Sequence, residues 1–312
     1  MWYRFQCVVS LIAVSWLVLA TERPVAAQSF VTDVVARGLQ KPTGIHVDFY
    51  GNLYYTEVPT PGVGGGANRV VRLNANRKKS VVVSAGDPNP RNITSDLFGN
   101  VYWTCTTANV IVRRTQFGAG ATSVVLTGLK SPVGIDVPLI FPNTIYFTQV
   151  PTPGLPGSSG GKNDVSVAVK LFSSYLQLQL SKGEPEPVDV AVGLDGTVYW
   201  TCRTAGVILM RNNLGEISLV ESGLESPVGL DIDLLGRLYW TEIPTPGVSG
   251  ANGGRNKVVR YNPGTDQTVI IHSGDPEPFD VTVTPTGEEI YWTCRTAGVI
   301  LRAQRAPTNS ED

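Results

Sequence analysis

The residues best suited to chemistry lie in a phrase that reads Pro-x-Gly-Ile-x-Val-Asp in its clearest copy, at residues 42–48. Six copies align along the chain, and polar side chains recur at two of the positions. The third position of every second copy holds Asn92, Asp189 and Asp280. The fifth position of the other copies holds His46, Asp136 and Asp231. Oxygen ligands grouped around one axis are what a hard cation such as Ca²⁺ prefers.

Two interpretations of these side chains stay open. In one, His46, Asp136 and Asp231 hold a metal ion and His46 acts as a general base. In the other, which we prefer, the polar groups hydrogen-bond loop amides and water in a solvated channel. The sequence therefore predicts no obligatory cofactor, with Ca²⁺ as the alternative.

A second set of charged residues lies in three proline-rich turns, at residues 86–90, 183–187 and 274–278. Their matched acidic residues are Asp87, Glu184 and Asp275. Aspartate before proline is a common turn former, which is the simpler explanation of the pattern. The alternative is a ring that binds cations or hydroxyl groups. On that hypothesis we add these residues to Asn92, Asp189 and Asp280 as the predicted ligand-binding set.

Three glycine-rich segments alternate with those turns, at residues 62–69, 154–164 and 247–256. Such segments move easily or let a ligand approach the backbone closely. Each contains a basic residue near its end, and these three residues join the predicted ligand-binding set: Arg69, Lys162 and Arg255.

The elements that position these groups are repeated too. A five-residue aromatic phrase, Leu-Tyr-Trp-Thr-Glu in its fullest form, occurs at 53–57, 101–105, 145–149, 198–202, 238–242 and 290–294. Successive copies are 40 to 53 residues apart, which is the length of a four-stranded propeller blade. Runs rich in Val, Ile, Tyr and Trp, separated by Gly, Asn, Asp and Pro, indicate short strands and turns.

The sequence thus predicts an all-β fold, a six-bladed β-propeller with four-stranded blades. The blades are of two alternating kinds, so three two-blade repeats give an approximate threefold axis. The last repeat lacks a fourth strand while residues 29–39 have no blade of their own, so we expect the N-terminal strand to close the ring. The glycine-rich segments and the acidic turns should emerge on one face, which we predict to be the binding face.

On these phrases the chain resembles six-bladed β-propellers of the NHL and YWTD-repeat kind, in the TolB-like superfamily, over about residues 29–305. The resemblance is carried by the copies in which Pro-x-Gly-[Ile/Leu]-x-[Val/Ile]-Asp precedes Gly-x-Leu-Tyr-[Tyr/Trp]-Thr-Glu. It implies the fold and leaves the activity open, because these repeats occur in receptors, sensors, lactonases and lyases. It also implies a mainly structural role for Glu57, Gln149 and Glu242 at the end of the aromatic phrase.

Two classes of function follow. The first is a non-enzymatic binding module for a protein, a peptide or a glycan, because symmetric reuse of loops suits recognition better than catalysis. The second is a channel-centred, metal-assisted hydrolase or lactonase, or a lyase. Calcium-dependent lactonase-like propellers carry Asn or Asp just after the proline of the inner phrase, where this chain has residues such as Thr43 and Arg91. Lyase-like propellers need a loop histidine, for which His272 is the candidate. We therefore predict the binding module.

The N-terminus and the composition indicate the setting of the protein. Arg4, the apolar run 7–20 and the small residues before position 28 predict a signal peptide over residues 1–27, and hence a secreted, extracellular protein. We divide the rest into a propeller over 28–305 and a disordered tail over 306–312. The chain has 25 basic and 26 acidic residues, which does not favour nucleic acid as a partner. We expect a monomer without a membrane span in the mature chain.

Three cysteines remain after the predicted cleavage, Cys105, Cys202 and Cys294. They occupy one equivalent position in alternate blades, so symmetry keeps them farther apart than the roughly 7 Å between Cα atoms that a disulfide allows. We predict buried free thiols that pack as small apolar groups.

Overall fold

The computed structural model describes residues 29–60, 66–116, 120–151, 153, 162–244 and 255–306. The predicted signal peptide, most of the glycine-rich segments and nearly all of the predicted tail lie outside these residues. Within them the chain forms 24 β-strands in six sheets of four antiparallel strands each. No helix in this part of the chain is long and apolar enough to cross a membrane.

The strands follow one another from the inside of each blade to its outside. The N-terminal strand is β1 (Phe30–Ala36). Blade 1 contains β2 (Pro42–Val47), β3 (Leu53–Glu57), β4 (Arg69–Leu73) and β5 (Ser80–Ala85). Blade 2 contains β6 (Pro90–Ser95), β7 (Val101–Cys105), β8 (Val110–Arg114) and β9 (Thr122–Leu126). Blade 3 contains β10 (Pro132–Asp136), β11 (Thr144–Gln149), β12 (Asp164–Leu171) and β13 (Ser174–Lys182).

The second half repeats this order. Blade 4 contains β14 (Pro187–Val192), β15 (Val198–Cys202), β16 (Val207–Arg211) and β17 (Ile217–Glu221). Blade 5 contains β18 (Pro227–Ile232), β19 (Leu238–Glu242), β20 (Lys257–Asn262) and β21 (Gln267–Ser273). Blade 6 contains β22 (Pro278–Val283), β23 (Glu289–Cys294) and β24 (Val299–Arg305), and β1 is its fourth strand. The predicted six-bladed fold and its closure by the N-terminal strand are confirmed.

The aromatic phrases form the second strand of every blade, as their spacing predicted. These strands pack between neighbouring sheets, and four tryptophans in them are fully buried: Trp103, Trp200, Trp240 and Trp292. Replacing such a side chain by alanine typically costs about 3 to 5 kcal/mol. The three predicted free thiols, on β7, β15 and β23, are also buried and unpaired. The repeated phrase is therefore the hydrophobic core of the ring.

The threonine of the phrase links adjacent blades. In each blade the pairing of the first two strands shifts register after the proline, which frees a backbone N–H near the channel. Thr201 accepts that N–H from Asp189 at 3.1 Å and donates to the carbonyl of Val228 in the next blade at 2.8 Å. Thr293 does the same between Asp280 and Thr43, across the closure of the ring. A buried hydroxyl thus satisfies one group on each side of every blade contact of this type.

The blades define two faces. The turns between first and second strands lie on what we call the turn face, at residues 48–52, 96–100, 137–143, 193–197, 233–237 and 284–288. The loops between second and third strands, and the connections between blades, lie on the opposite loop face. The described ends of the glycine-rich segments and the acidic turns lie on the loop face, as expected.

Candidate functional site

The candidate site is the central channel, which the first strands of the six blades surround. Three glycines on the odd blades face a polar residue on the next even blade: Gly44, Gly134 and Gly229. A Cβ on Gly134 would lie 2.6 Å from the Cα of Asp189, and one on Gly229 would lie equally close to the Cα of Asp280. Backbone cannot move aside as a side-chain tip can, so the narrow channel requires glycine here.

The first polar layer of the channel contains Asn92, Asp189 and Asp280, which the structure brings together as predicted. Asn92 Nδ2 donates to Asp189 Oδ1 at 2.8 Å. Asp189 accepts the backbone N–H of Leu230 at 2.8 Å, and Asp280 accepts that of Ile45 at 2.9 Å. Burial raises the pKa of Asp280 to about 7, and the charge of Asp231 acts in the same direction. Burial also raises the pKa of Asp189 well above its ordinary value, with further repulsion from Asp280.

The second polar layer contains His46, Asp136 and Asp231, one residue from each odd blade. Asp136 accepts the backbone N–H of Val192 at 2.8 Å, and Asp231 accepts that of Val283 at 2.8 Å. Burial raises the pKa of Asp136 to about 7 and that of Asp231 to about 6. Burial lowers the pKa of His46 to about 4, so the imidazole is neutral at neutral pH.

The hydrogen bonds of both layers follow one rule. The four channel aspartates each accept an N–H from the first strand of the next blade, and the ring Nε2 of His46 lies 2.9 Å from the hydroxyl of Ser95, also in the next blade. Our preferred interpretation had these groups hydrogen-bond loop amides and water, whereas the observed amide donors belong to the first strands of neighbouring blades. No group of three His, Cys, Asp or Glu that could hold a metal occurs within the described residues. Calcium binding by His46, Asp136 and Asp231 stays a prediction.

The loop-face end of the channel is narrow. The guanidinium of Arg91 lies 4.4 Å from the centroid of the Phe279 ring, and three valines complete this plug: Val133, Val188 and Val228. Burial lowers the pKa of Arg91 to about 10, and the charge of Arg295 contributes in the same direction. The described side chains leave a cavity of about 10 Å³ here, which is the size of a single water.

The turn-face end is open, and it was not found by sequence reasoning. A cavity of about 80 Å³ leads from this face to His46, Asp136 and Asp231. Its mouth is surrounded by apolar side chains of the turns, which we call the apolar collar: Phe49, Ile140, Leu194 and Leu234. The signal was present in turns such as Asp-Phe-Tyr-Gly-Asn (48–52) and Asp-Leu-Leu-Gly-Arg (233–237), which are apolar where exposed turns are usually polar.

Two of the acidic turn residues of the loop face are hydrogen-bonded to tryptophans of the second strands. Glu184 is buried and accepts the indole N–H of Trp200 at 3.2 Å, and Asp275 is buried and accepts that of Trp292 at 2.9 Å. The equivalent atoms Asp87 Oδ2 and Trp103 Nε1 are buried without a hydrogen-bond partner within the described part of the chain. The predicted binding role of the three carboxylates stays a prediction, and it requires them to leave these positions.

The glycine-rich segments end at a buried asparagine that the sequence analysis did not single out. Asn68, Asn163 and Asn256 are fully buried. The side chain of Asn163 donates to the carbonyl of Glu184 at 3.2 Å, and that of Asn256 donates to the carbonyl of Asp275 at 3.0 Å. Each segment is thereby fixed to the following acidic turn. The signal was an asparagine at the end of every glycine-rich segment.

The three predicted basic ligands differ in their surroundings. Arg69 pairs with the buried carboxylate of Glu57. Arg255 is exposed and lies 2.8 Å from Glu225, whereas Lys162 is exposed at the end of its segment. The structure therefore places these residues at three separate blades, around the rim of the loop face.

His272, the candidate loop histidine of the lyase hypothesis, also lies on the loop face. Its Nδ1 lies 2.8 Å from Asp275 Oδ2. The hydrogen bond to Asp275 raises the pKa of His272, against the opposing effect of burial. The pair has the geometry of a histidine oriented by a carboxylate.

This geometry defines the class of the protein. The chain is a six-bladed β-propeller with two alternating types of blade around a polar channel. No protein-family model matches it.

Comparison with known proteins agrees with that class. Low-density lipoprotein receptor-related protein 5-like protein of Homo sapiens is 26% identical over 218 residues, which cover 68% of this chain and 77% of that protein. A gluconolactonase from Xanthomonas campestris has 14% identity and a TM-score of 0.68, over 90% of this chain and 92% of that one. A virginiamycin B lyase from Staphylococcus aureus was solved as a catalytically inactive histidine-to-alanine variant with quinupristin. It has 19% identity and a TM-score of 0.59, over 89% of this chain and 100% of that one. At these identities the solved structures establish the fold alone.

Proposed function

We propose that the protein is an extracellular binding module that recognises a protein, a peptide or a glycan through its loop face. The observation that carries the proposal is the threefold anchoring of the glycine-rich segments by Asn68, Asn163 and Asn256. The described end of each segment is held by one of these asparagines, and fixed bases reduce the entropy that a binding loop loses on contact. The receptor-related relative supports the same class of function.

The proposal includes the setting of the module. The mature chain begins after residue 27, contains the propeller over 28–305 and is a monomer. N-terminal sequencing and light scattering of the secreted protein test these points. A retained leader or a stable oligomer contradicts them.

The loop face is tested with purified mature protein on arrays of defined glycans and of extracellular protein domains. Lys162→Glu and Arg255→Glu reverse two exposed charges on the loop face, and we expect at least a tenfold loss of affinity for an anionic or hydroxyl-rich ligand. Lys79→Glu, in the hairpin between β4 and β5 on the turn face, is the matched control. Equal binding by all variants argues against the loop face.

A second candidate, a lyase or hydrolase, is favoured by the pair His272 and Asp275. A histidine whose pKa is raised by a buried carboxylate is suited to donate a proton to a leaving group. The lyase and the lactonase among the structural neighbours give the reaction classes to assay. Activity that His272→Ala abolishes, while the fold is retained, supports this candidate. Elemental analysis of the dialysed protein tests the calcium hypothesis, and about one equivalent of calcium supports a channel metal.

A further inference from the structure

The turn face carries a binding surface of different chemistry from the loop face. The collar residues Phe49, Ile140, Leu194 and Leu234 are 40% to 55% exposed, although apolar side chains of this size usually avoid water. Further exposed apolar side chains extend the collar outward, including Phe98 and Leu235. Exposed apolar side chains grouped around an opening mark a contact surface.

The floor of the opening is acidic. Asp136 and Asp231 line the cavity, and neither takes part in an ion pair within the described residues. The ring Nε2 of the neighbouring His46 lies 2.9 Å from the hydroxyl of Ser95. The turns between first and second strands contain five acidic residues and one basic residue, Arg237, which is paired with Asp233 at 2.6 Å. The other basic residues of this face that lie in a described hairpin, Arg77, Lys78 and Lys79, are farther from the axis, between β4 and β5. The opening therefore attracts cations.

The size of the cavity limits what enters. About 80 Å³ is room for roughly six waters, which suits the end of one side chain. The plug formed by Arg91 and Phe279 narrows the other end, so a ligand enters from the turn face. A lysine or arginine side chain has an apolar stem and a charged tip, which matches an apolar collar above two carboxylates.

We propose that the turn-face opening is a second binding site, which takes a lysine or arginine side chain from an apolar loop of a partner protein. The cationic tip reaches Asp136 and Asp231, and the apolar residues beside it cover the collar. Two copies of this chain would place acidic openings against each other, and an anionic membrane surface would be repelled. Charge complementarity thus selects a cationic protein loop.

The test uses a capped tripeptide of phenylalanine, lysine and leucine as the probe, titrated into the mature protein by calorimetry. The matched control peptide replaces lysine by norleucine, which keeps the stem and removes the ammonium. We expect the lysine peptide to bind at least tenfold more tightly than the norleucine peptide. Equal affinities for the two peptides, or no binding of the lysine peptide, overturn the proposal.

Variants locate the site. Asp136→Asn and Asp231→Asn keep the size of the side chain, and we expect each to lower the affinity for the lysine peptide at least fivefold. Leu234 takes no part in the channel hydrogen bonds, and Leu234→Ser should lower the affinity for both peptides. This variant keeps the test valid if a channel variant fails to fold. Lys182→Glu, at an exposed position on β13, should leave binding unchanged. Loss of binding in Lys182→Glu alone, or self-association that Leu234→Ser removes, contradicts the proposal.

Discussion

At the scale of single residues, the two kinds of blade differ in where they place the carboxylate that accepts the tryptophan indole N–H. In blade 5 the indole N–H of Trp240 donates to Glu242 at 3.0 Å, at the end of the aromatic phrase. In blades 4 and 6 cysteine replaces that glutamate, and the indole donates to the acidic turn instead, at Glu184 and Asp275. In these two blades the acceptor lies in the loop and not at the end of the strand, and the buried indole keeps its hydrogen bond. Blade 2 also combines Cys105 with the acidic turn residue Asp87, but there the indole N–H of Trp103 has no hydrogen-bond partner within the described residues.

The channel aspartates make stability depend on pH. A carboxyl whose pKa is higher in the folded than in the unfolded state favours folding while it is protonated. For Asp280, with a folded pKa of about 7, this contribution is complete below the unfolded value of about 4 and is lost as the pH increases toward 7. The protein is therefore expected to lose this contribution between pH 5 and pH 8.

Asp280→Asn tests this effect, because the amide resembles the protonated acid and Asn92 already occupies the equivalent position in blade 2. Between pH 5 and pH 8, we expect the free energy of unfolding of the variant to decrease by up to about 3 kcal/mol less than that of the parent chain. The measurement is urea unfolding at both pH values. His46, Asp136 and Asp231 titrate in both proteins and largely cancel in the comparison, whereas the variant also removes the repulsion of Asp280 on Asp189. Glu288→Gln, at an exposed position, is the control, and an unchanged pH profile in Asp280→Asn refutes the assignment.

At the scale of elements, the first strands depend on glycine at every odd blade. A Cβ on Gly134 would also lie 2.8 Å from the carbonyl oxygen of Val188. Gly134→Ala should therefore separate β10 from β14 and cost about 1 to 3 kcal/mol. Gly264→Ala is the control, because its nearest neighbour, Asn262 Oδ1, lies 3.4 Å away. Equal urea midpoints for the two variants count against close packing at the axis.

Alignment of the sequence phrases placed each glycine opposite the correct polar residue, because blade repeats impose one register on all six first strands. It did not indicate which polar atoms meet. The bond from Asn92 to Asp189 joins residues 97 positions apart, and no local pattern determines such a contact. The same holds for Arg91, whose position was read as a missing ligand and which instead stacks on Phe279.

At the scale of the whole molecule, one strand closes the ring. Strand β1 pairs with β24 along its length, and Asp33 and Arg302 join them through two hydrogen bonds of 2.9 and 3.0 Å. Without β1, the edge of β24 would be free to pair with other chains.

Removal of residues 29–36 should therefore cause aggregation and a large decrease in the unfolding midpoint. The measurements are light scattering and thermal unfolding, with a chain that lacks residues 307–312 as the control. A synthetic peptide of residues 29–39 should restore the monomer by pairing with β24. A truncated protein that stays monomeric with an unchanged midpoint disproves the role of β1.

The sequence by itself determined the number of blades, the strand order, the buried phrase, the free thiols and the closure, because each depends on a pattern that recurs at a fixed period. The tertiary structure alone decided that one end of the channel is plugged and the other is open, and that Glu184 and Asp275 are engaged by indoles. Side chains from distant repeats meet at the axis, and their contacts depend on blade twist and on the distance between strands. The apolar turns are visible in the sequence, but only the closed ring gathers them around one acidic opening.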